Sequence, residues 1–525
     1  MNFNPAILYF GAALFFLLPG KRKRKFFAIL IPLLALFSIL FLNSEASLTV
    51  NFLNLELRLL EVNRIGRIIA GIFVIYGLMA VIFTFDLLKQ RLYILAYLFI
   101  GSSVGLMFVG DFFSFLILWE LMTILSFFII LVSGGKSLKR IAYYYFIMHM
   151  VGGICLLWGI VLQYNGTGSI ILTVPEFGKI FFVLAVGIKL AFIGLHTWLP
   201  QTYSRVPFSV SILLTAYTTK AGVYAFYRLL EGPVLEYAGI ILALGAVFLA
   251  LKQTKIRKIL SYHLISQTGF MLTGIAVNTK LGIDSGIFHL TNHVLYKGLL
   301  FMSVGVIIYT TGKECLTSLG NLYRKLPVTT AAALVGSLAI SGFPFFNGYL
   351  SKLLIKKAAG DKTLISIGLF LASLGTALSF MKFVYYSFFN KNSIEIENKP
   401  TFTMKLAMVL VILVIIIIGV FPGVYEVLFN VQTSINYFQL QSILGALFPI
   451  LLAGVIFIVA SDIIEPRPQK AANGKSFYLS LGKCYNVFSQ QLSSFHNGNP
   501  VRYIIWLLTF LVFIWGYFFL KYGGI

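Results

Sequence analysis

Long, almost uncharged apolar stretches follow one another along this chain with short polar breaks between them, and that succession constrains the fold more than any motif does. A helix needs about 20 mostly apolar residues to cross a bilayer. Sixteen segments qualify, near 4–20, 26–43, 65–85, 92–109, 112–132, 141–163, 177–198, 207–228, 234–251, 259–277, 283–309, 328–355, 363–389, 402–421, 442–461 and 503–520. Short loops join most of them. Residues 44–62 depart from this pattern, with SLTVNFLNLELRLLEV alternating like a surface hairpin. So do residues 462–502, where Tyr478, Leu481, Tyr485, Phe488, Leu492 and Phe495 recur every three or four positions after the breaker EPRP. That spacing fits a short amphipathic helix on the inner surface, and equally a solvated connector. Composition agrees with the segment pattern: 59% of residues are hydrophobic and 11% charged, against roughly 25% charged in soluble domains. An ordinary globular enzyme is excluded, and the expected class is an all-α polytopic membrane protein of about 16 transmembrane helices.

Forty-one Lys and Arg against 17 Asp and Glu give a net charge of +24, which in a soluble protein would point to nucleic acid. Here the basic residues sit in short runs between apolar segments and build no basic face, so the expected partner is the lipid bilayer and not nucleic acid. With the N-terminus outside, 25 basic residues fall on inner loops, the run KRKRK at 21–25 among them, and 10 on outer ones. This asymmetry predicts that both termini lie outside. Cys155, Cys315 and Cys484 form no C-x-x-C pair, which argues against iron–sulfur ligation, thiolate zinc and a disulfide framework. No cofactor is expected in this chain. MNFNPAILYF has no basic residue ahead of its apolar stretch, so a cleaved signal peptide is not expected.

Six lysines remain inside the spans: Lys189, Lys220, Lys297, Lys352, Lys382 and Lys405. A charge at mid-bilayer costs about 2.5–3.5 kcal/mol on insertion scales, and such residues usually face a bundle interior or an ion path. Lys405 and Lys382 lie near the ends of their spans, where the stem can carry the charge to the interface; Lys382 is kept as an accessory candidate. Lys189, Lys220 and Lys297 are central. Lys352 follows SGFPFFNGYLS, whose Gly342, Pro344 and Gly348 should break the helix near mid-membrane, and such breaks are tolerated around polar cavities. The one clearly central acid is Glu120, in FFSFLILWELMTIL. A movable pairing of that acid with a buried lysine could switch the lysine's protonation.

GIFHLTNHVLYKGLL places His289, His293 and Lys297 along one helical face. A zincin pair would need a glutamate after its first histidine, where Leu290 stands, and no haem pattern accompanies the remaining histidines. A polar file carrying protons is favoured over a metal site. His196, just before HTWLP, either joins that file or caps a broken helix, while His149 and His263 read as ordinary polar residues of the bundle.

KLAFIGLHTWLPQTYSRVPFSVSILLTAYTTKAGVYAFYRLL resembles the core signature of the antiporter-like, proton-conducting membrane subunits. That family comprises the large ion-pumping subunits of respiratory complex I, those of energy-converting membrane hydrogenases and the Mrp cation/proton antiporter subunits. KIRKILSYHLISQTGFM, GIFHLTNHVLYKGLLFMSVGVII, LYRKLPVTTAAALVGSLAISGFPFFNGYLSK and IIGVFPG extend the resemblance over roughly residues 63–425. It implies a 14-helix core with two inverted five-helix repeats, about 91–230 and 233–389, each containing a broken helix, the spans of Lys189 and Lys352. Residues 1–90 would hold three further spans with the hairpin, 390–461 two more, 462–502 the connector and 503–525 a last span. By motif position Glu120 matches the family's glutamate, Lys189 its paired lysine and Lys220 the lysine of the next helix. His289, His293 and Lys297 match the central axis, and Lys352 the terminal residue on the exit side.

Departures narrow the subtype. The pattern P-L-H-T-W-L-P-D-A reads GLHTWLPQT, with Gly194 for proline and Gln201 for aspartate; Ser209 replaces a second proline and Lys255 an acid. Thr215, an accessory candidate, stands where complex I relatives often have histidine. T-K-A-G-V-Y looks closer to Mrp D-type and hydrogenase-type subunits. The resemblance implies an ion-translocating subunit of a multisubunit respiratory-type complex, moving H⁺ or exchanging it for Na⁺. Its partners would be other antiporter-like and small multi-helix subunits. Any iron–sulfur, flavin or Ni–Fe centre would lie in partner subunits such as a soluble redox arm, leaving this chain a translocase subunit without a redox centre. The alternatives are an Mrp-type antiporter subunit, an energising subunit for uptake of a solute such as inorganic carbon, or an inert scaffold.

Overall fold

The computed structural model describes residues 3–467 apart from 18–19, 53–54, 233, 361, 393 and 432–434. The span expected at 503–520, and all but the first residues of the connector at 462–502, lie outside the described residues. Helices α1 (Ala6–Phe15) and α2 (Lys21–Leu40) precede a hairpin of β1 (Ser47–Phe52) and β2 (Leu55–Glu61). Then come α3 (Arg64–Thr84), α4 (Gln90–Leu106), α5 (Phe112–Ser133), α6 (Lys136–Thr167), α7 (Lys179–Lys189), α8 (Trp198–Tyr203), α9 (Phe208–Leu214) and α10 (Thr218–Leu229). The chain continues through α11 (Val234–Leu251), α12 (Ile256–Ala276), α13 (Lys280–Thr311), α14 (Leu322–Lys325), α15 (Pro327–Ser341), α16 (Asn347–Ala359) and α17 (Thr363–Val384). A π-helical turn at Tyr385–Phe389 extends α17, before α18 (Phe402–Val420), α19 (Gly423–Phe429), α20 (Leu440–Val459) and α21 (Ser461–Ile464).

Among the described residues seven helices are long and apolar enough to cross a membrane: those beginning at Arg64, Phe112, Leu138, Lys280, Thr363, Phe402 and Leu440. Shorter apolar helices accompany them, and the chain is a multi-pass membrane protein. Rows of exposed Ile, Leu, Phe and Val on α2, α5, α6, α18 and α20 suit a lipid solvent. The basic run 21–25 is not a loop, as the span boundaries implied, but the first turns of α2.

The loops sort onto two faces. On one, the hairpin docks by Glu61 N–H to the Phe108 carbonyl (2.6 Å) and Gly110 N–H to the Arg58 carbonyl (2.9 Å). Asp111, which caps α5 by accepting from Ser114 N–H at 2.7 Å, also accepts from Arg58 N–H at 2.8 Å. Arg228–Glu61, Arg64–Asp284 and Lys362–Glu236 ion pairs belong to the same face. On the other, Lys25 pairs with Asp86, and Lys255 and Arg257 with Glu314. Glu397 N–H donates there to the Thr310 carbonyl at 2.8 Å. These pairings join only loops of like parity, as alternating spans through α20 require.

Two runs of five spans, α4 to α10 and α11 to α17, have opposite sense because five crossings invert direction. The fourth span of each is broken. In the first, α7 stops at Lys189, and the backbone turns through Ala191 (φ 59°) and Gly194 (φ 97°) before α8. In the second, α15 ends at Gly342 (φ 83°), and Phe345 (φ 70°) redirects the chain into α16. Gly348 lets α16 return against its own first half, since a Cβ there would run into the Ala339 carbonyl. A third break was not expected. The segment 207–228, read as one span, is interrupted at 215–217 between α9 and α10, without a glycine or proline to announce it.

Helix α13, 32 residues long and so about 48 Å by helical rise, lies at the centre. It packs against α3, α9, α12, α15, α16 and α18. Gly298 allows the close approach of α3, for a Cβ would overlap the Tyr76 ring.

Candidate proton-path residues

The four deep lysines of the sequence are buried or half-buried inside this bundle, and three of them sit at the helix breaks. Lys189 closes α7. Its ammonium lies 3.5 Å from the centroid of the Trp119 ring and donates to the Trp119 carbonyl at 3.3 Å, a cation–π contact in a buried site. Glu120 is next in sequence to Trp119, yet it makes no ion pair with Lys189. Both carboxylate oxygens are buried without a hydrogen-bond partner, and the carboxylate presses on Gly153 of α6, where a Cβ would collide with Oε1. Acid and lysine act on each other's charge without forming an ion pair, an arrangement that permits their pairing to change.

Lys220, in the first turn of α10, donates to the Thr215 carbonyl at 2.9 Å and to the Thr219 hydroxyl at 3.1 Å. It caps a carbonyl that the α9–α10 break releases. Two tyrosines hold the carbonyls just before it: Tyr76 that of Ile212 at 2.7 Å and Tyr203 that of Leu214 at 3.1 Å. The Thr215 hydroxyl itself is buried and unpartnered. Lys352, in α16, does the same for the second repeat, donating to the Ile340 carbonyl at 2.7 Å and lying 4.6 Å from the centroid of the Phe270 ring. Lys297, on α13, has no hydrogen-bond partner, and its ammonium lies 5.5 and 6.0 Å from the centroids of the Phe380 and Phe301 rings.

Three further histidines are buried in the same bundle: His289, His293 and His263. His289 pairs through Nδ1 with the Ser351 hydroxyl at 2.8 Å and through Nε2 with Gln267 Oε1 at 3.1 Å. Ser351 precedes Lys352, so α13 is tied directly to the second broken helix. His293 is buried with both ring nitrogens free of partners, within range of the charges on Lys220 and Lys297. His263 is the residue the sequence undervalued. Both its nitrogens are unpartnered, its ring lies 4.8 Å from that of Phe380, which Lys297 also faces, and the charges of Lys297 and Lys352 both act on it. Gln267 and Ser351 carried no signal either, being ordinary polar residues until the fold sets them against His289.

The remaining candidates have structural contacts. His196 accepts from Gly194 N–H at 3.3 Å and so caps the first break. Lys382 donates to the carbonyls of Leu251 and Gln253 at 3.0 and 3.2 Å, closing the end of α11. Lys405 is exposed. Lys189 and Lys220 each turn to a different backbone carbonyl; His149, stacked on Tyr145 at 4.1 Å and edge-on to Trp198 at 4.4 Å, lies within reach of the Lys189 charge. Among the described residues, no three His, Cys, Asp or Glu side chains gather into a group that could hold a metal ion.

A polytopic bundle with two inverted runs, a broken helix in each and lysines at the breaks defines the antiporter-like class of membrane protein. This chain belongs to the family described as NADH:quinone oxidoreductase/Mrp antiporter, TM, which matches residues 109–379. It is 28% identical over 288 residues to hydrogenase-4 component B of Escherichia coli (strain K12), across 49% of this chain and 43% of that protein. To a Na⁺/H⁺ antiporter subunit of Alkalihalophilus pseudofirmus it is 26% identical over 348 residues, across 60% of this chain and 70% of that one. The match thus spans less than half the length of the hydrogenase component. The fold superposes on a chain of the Mrp complex from Dietzia sp. DQ12-45-1b with a TM-score of 0.83 at 20% identity, covering 97% of this chain and 62% of that chain.

Proposed function

We propose that this chain is an ion-translocating membrane subunit of a multisubunit complex, moving H⁺ along Glu120, Lys189, Lys220, His293, Lys297, His263 and Lys352, with His289 joining α13 to the Lys352 helix. The observation that carries this reading is the set of deep ammonium groups without counter-ions: Lys189, Lys220 and Lys352 rest on backbone carbonyls, and Lys297 on no hydrogen-bond partner. Permanent structural charges in such a place would be paired, whereas groups that must gain and lose a proton are not. The family supports a setting among other membrane subunits. On this reading both termini lie outside an inner membrane, from the asymmetry of basic residues, and any redox centre lies in a partner.

The likeness to a Na⁺/H⁺ antiporter subunit favours one specific second reading, exchange of H⁺ for Na⁺ without a redox reaction. Reconstituted complex in proteoliposomes tests both: a pH-sensitive dye should report H⁺ movement that Lys189→Ala abolishes. Unchanged coupled movement of H⁺ or Na⁺ in Lys189→Ala would leave the chain an inert scaffold. Dependence of the signal on a Na⁺ gradient, with no electron donor supplied, distinguishes antiport from redox pumping.

A further inference from the structure

A cleft of about 450 Å³ opens between α16, α17 and α20 on the face that carries the hairpin, and reaches inward as far as Lys352. Two basic side chains, Lys356 and Lys357, line it from the last turn of α16. Both are exposed and neither is paired with an acid among the described residues. Gln441 and Ser442 face them from the first turn of α20, a 20-residue helix with no acidic residue in that turn and no side-chain cap on its N-terminal N–H groups. Deeper in, the lining changes to Leu369, Phe370 and Ala446. Beyond the mouth, α20 turns Leu444, Phe448 and Leu451 outward, each more than half exposed, so the cleft is open to the hydrocarbon as well as to water.

We propose that this cleft binds the phosphate-bearing headgroup of an anionic phospholipid, with the start of an acyl chain against the apolar wall. Two ammonium groups at an interface attract an anion, and free amide N–H groups at a helix start favour it further. A mouth that is cationic and a wall that is apolar match an amphiphile better than a free ion. No acidic side chain among the described residues lines the cleft to oppose this. Lipid binding at this mouth stands apart from the part Lys352 plays in transport.

The test is lipid retention by the full-length chain, purified in neutral detergent and titrated with phosphatidylglycerol or phosphatidylcholine under native mass spectrometry. Phosphatidylglycerol should be retained at least about tenfold more tightly, and Lys356→Gln with Lys357→Gln should erase that preference, as expected for two charges at a membrane surface. Because those changes lie on exposed side chains, folding should persist. Ala446→Trp, which fills the cleft from its lipid side, should abolish retention with both lysines in place. Equal retention of the two lipids, or an unaltered preference in the double variant, overturns the proposal. Displacement of phosphatidylglycerol by inorganic phosphate at matched concentration would make this a free-phosphate site and overturn it as well.

Discussion

The ammonium of Lys220 donates to the carbonyl of Thr215 at 2.9 Å, across the break between α9 and α10. Lys352 repeats the relationship with Ile340 at 2.7 Å in the second run of helices. A broken helix in lipid leaves carbonyls that no water can satisfy, and here the same lysines proposed to carry protons satisfy them. A proton on the lysine strengthens that hydrogen bond because the donor is then charged. The geometry of each break is thereby linked to the protonation of its lysine.

Replacing Lys220 should therefore cost structure as well as transport. In Lys220→Met the buried Thr215 carbonyl loses its donor, at about 1–3 kcal/mol, read as a lower unfolding temperature in detergent. Lys220→Arg should recover much of the stability, because the guanidinium also donates, but not transport, because it does not release a proton. Wild-type stability in Lys220→Met would show that the contact carries no load.

Gly153 tests the acid at the other end of the path. Any Cβ there meets the Glu120 carboxylate, which must swing away or strain α6. Gly153→Ala should reduce H⁺ movement severalfold while the protein still folds, since overpacking costs about 1–3 kcal/mol. Adding Glu120→Asp, one methylene shorter, should restore part of the rate. If Gly153→Ala transports normally, the position of the carboxylate does not matter to the mechanism.

Hydrophobic run length and the cost of buried charge made the spans, the hairpin and the four deep lysines legible in the sequence. Gly342, Pro344 and Gly348 announced the second break because their backbone preferences are local. Nothing local announced the break at 215–217, which depends on Lys220, Tyr76 and Tyr203 arriving from three helices to hold its carbonyls. His263 carries no local signal for a related reason: its interest lies in the charges of Lys297 and Lys352, two residues on other helices, that act on it. Lys382 shows the converse, a lysine near the end of its span that finds the end of α11 instead of water.

Outside the spans, Glu314 ties the α11–α12 connection to the segment after α13. It accepts from Lys255 at 2.7 Å and from Arg257 at 2.8 and 3.1 Å. Burial pushes its carboxyl up, but the hydrogen bonds from Lys255 and Arg257 and the charges of both outweigh that and hold it below the usual carboxylate range. A depressed folded value means that the contribution is fully present above the ordinary carboxylate pKa and is lost as the pH falls through the folded one. Glu314→Gln should be less stable at neutral pH and should lose less stability on acidification than wild type, seen in unfolding temperatures measured across the acid range. Parallel profiles for the two proteins would refute the assignment.

Lys297 and Lys382 should respond to the same substitution with opposite signs. The Lys297 ammonium is buried without a hydrogen-bond partner, so exchanging it for Met, close in volume, removes an unsatisfied polar group that costs about 1–3 kcal/mol. Lys297→Met should unfold at a higher temperature than wild type and move no H⁺. Lys382 holds two carbonyls at the end of α11, and Lys382→Met strands both. That variant should be less stable by a similar amount yet keep its transport rate per folded molecule. Lys297 retains a buried charge at the expense of stability, which transport explains, whereas the two carbonyls account for Lys382 by structure alone; Lys220 combines both, through Thr215. Unfolding temperatures and H⁺ flux for the two variants measure that difference directly, and a shift of both stabilities in one direction would show that the distinction drawn between these lysines is wrong.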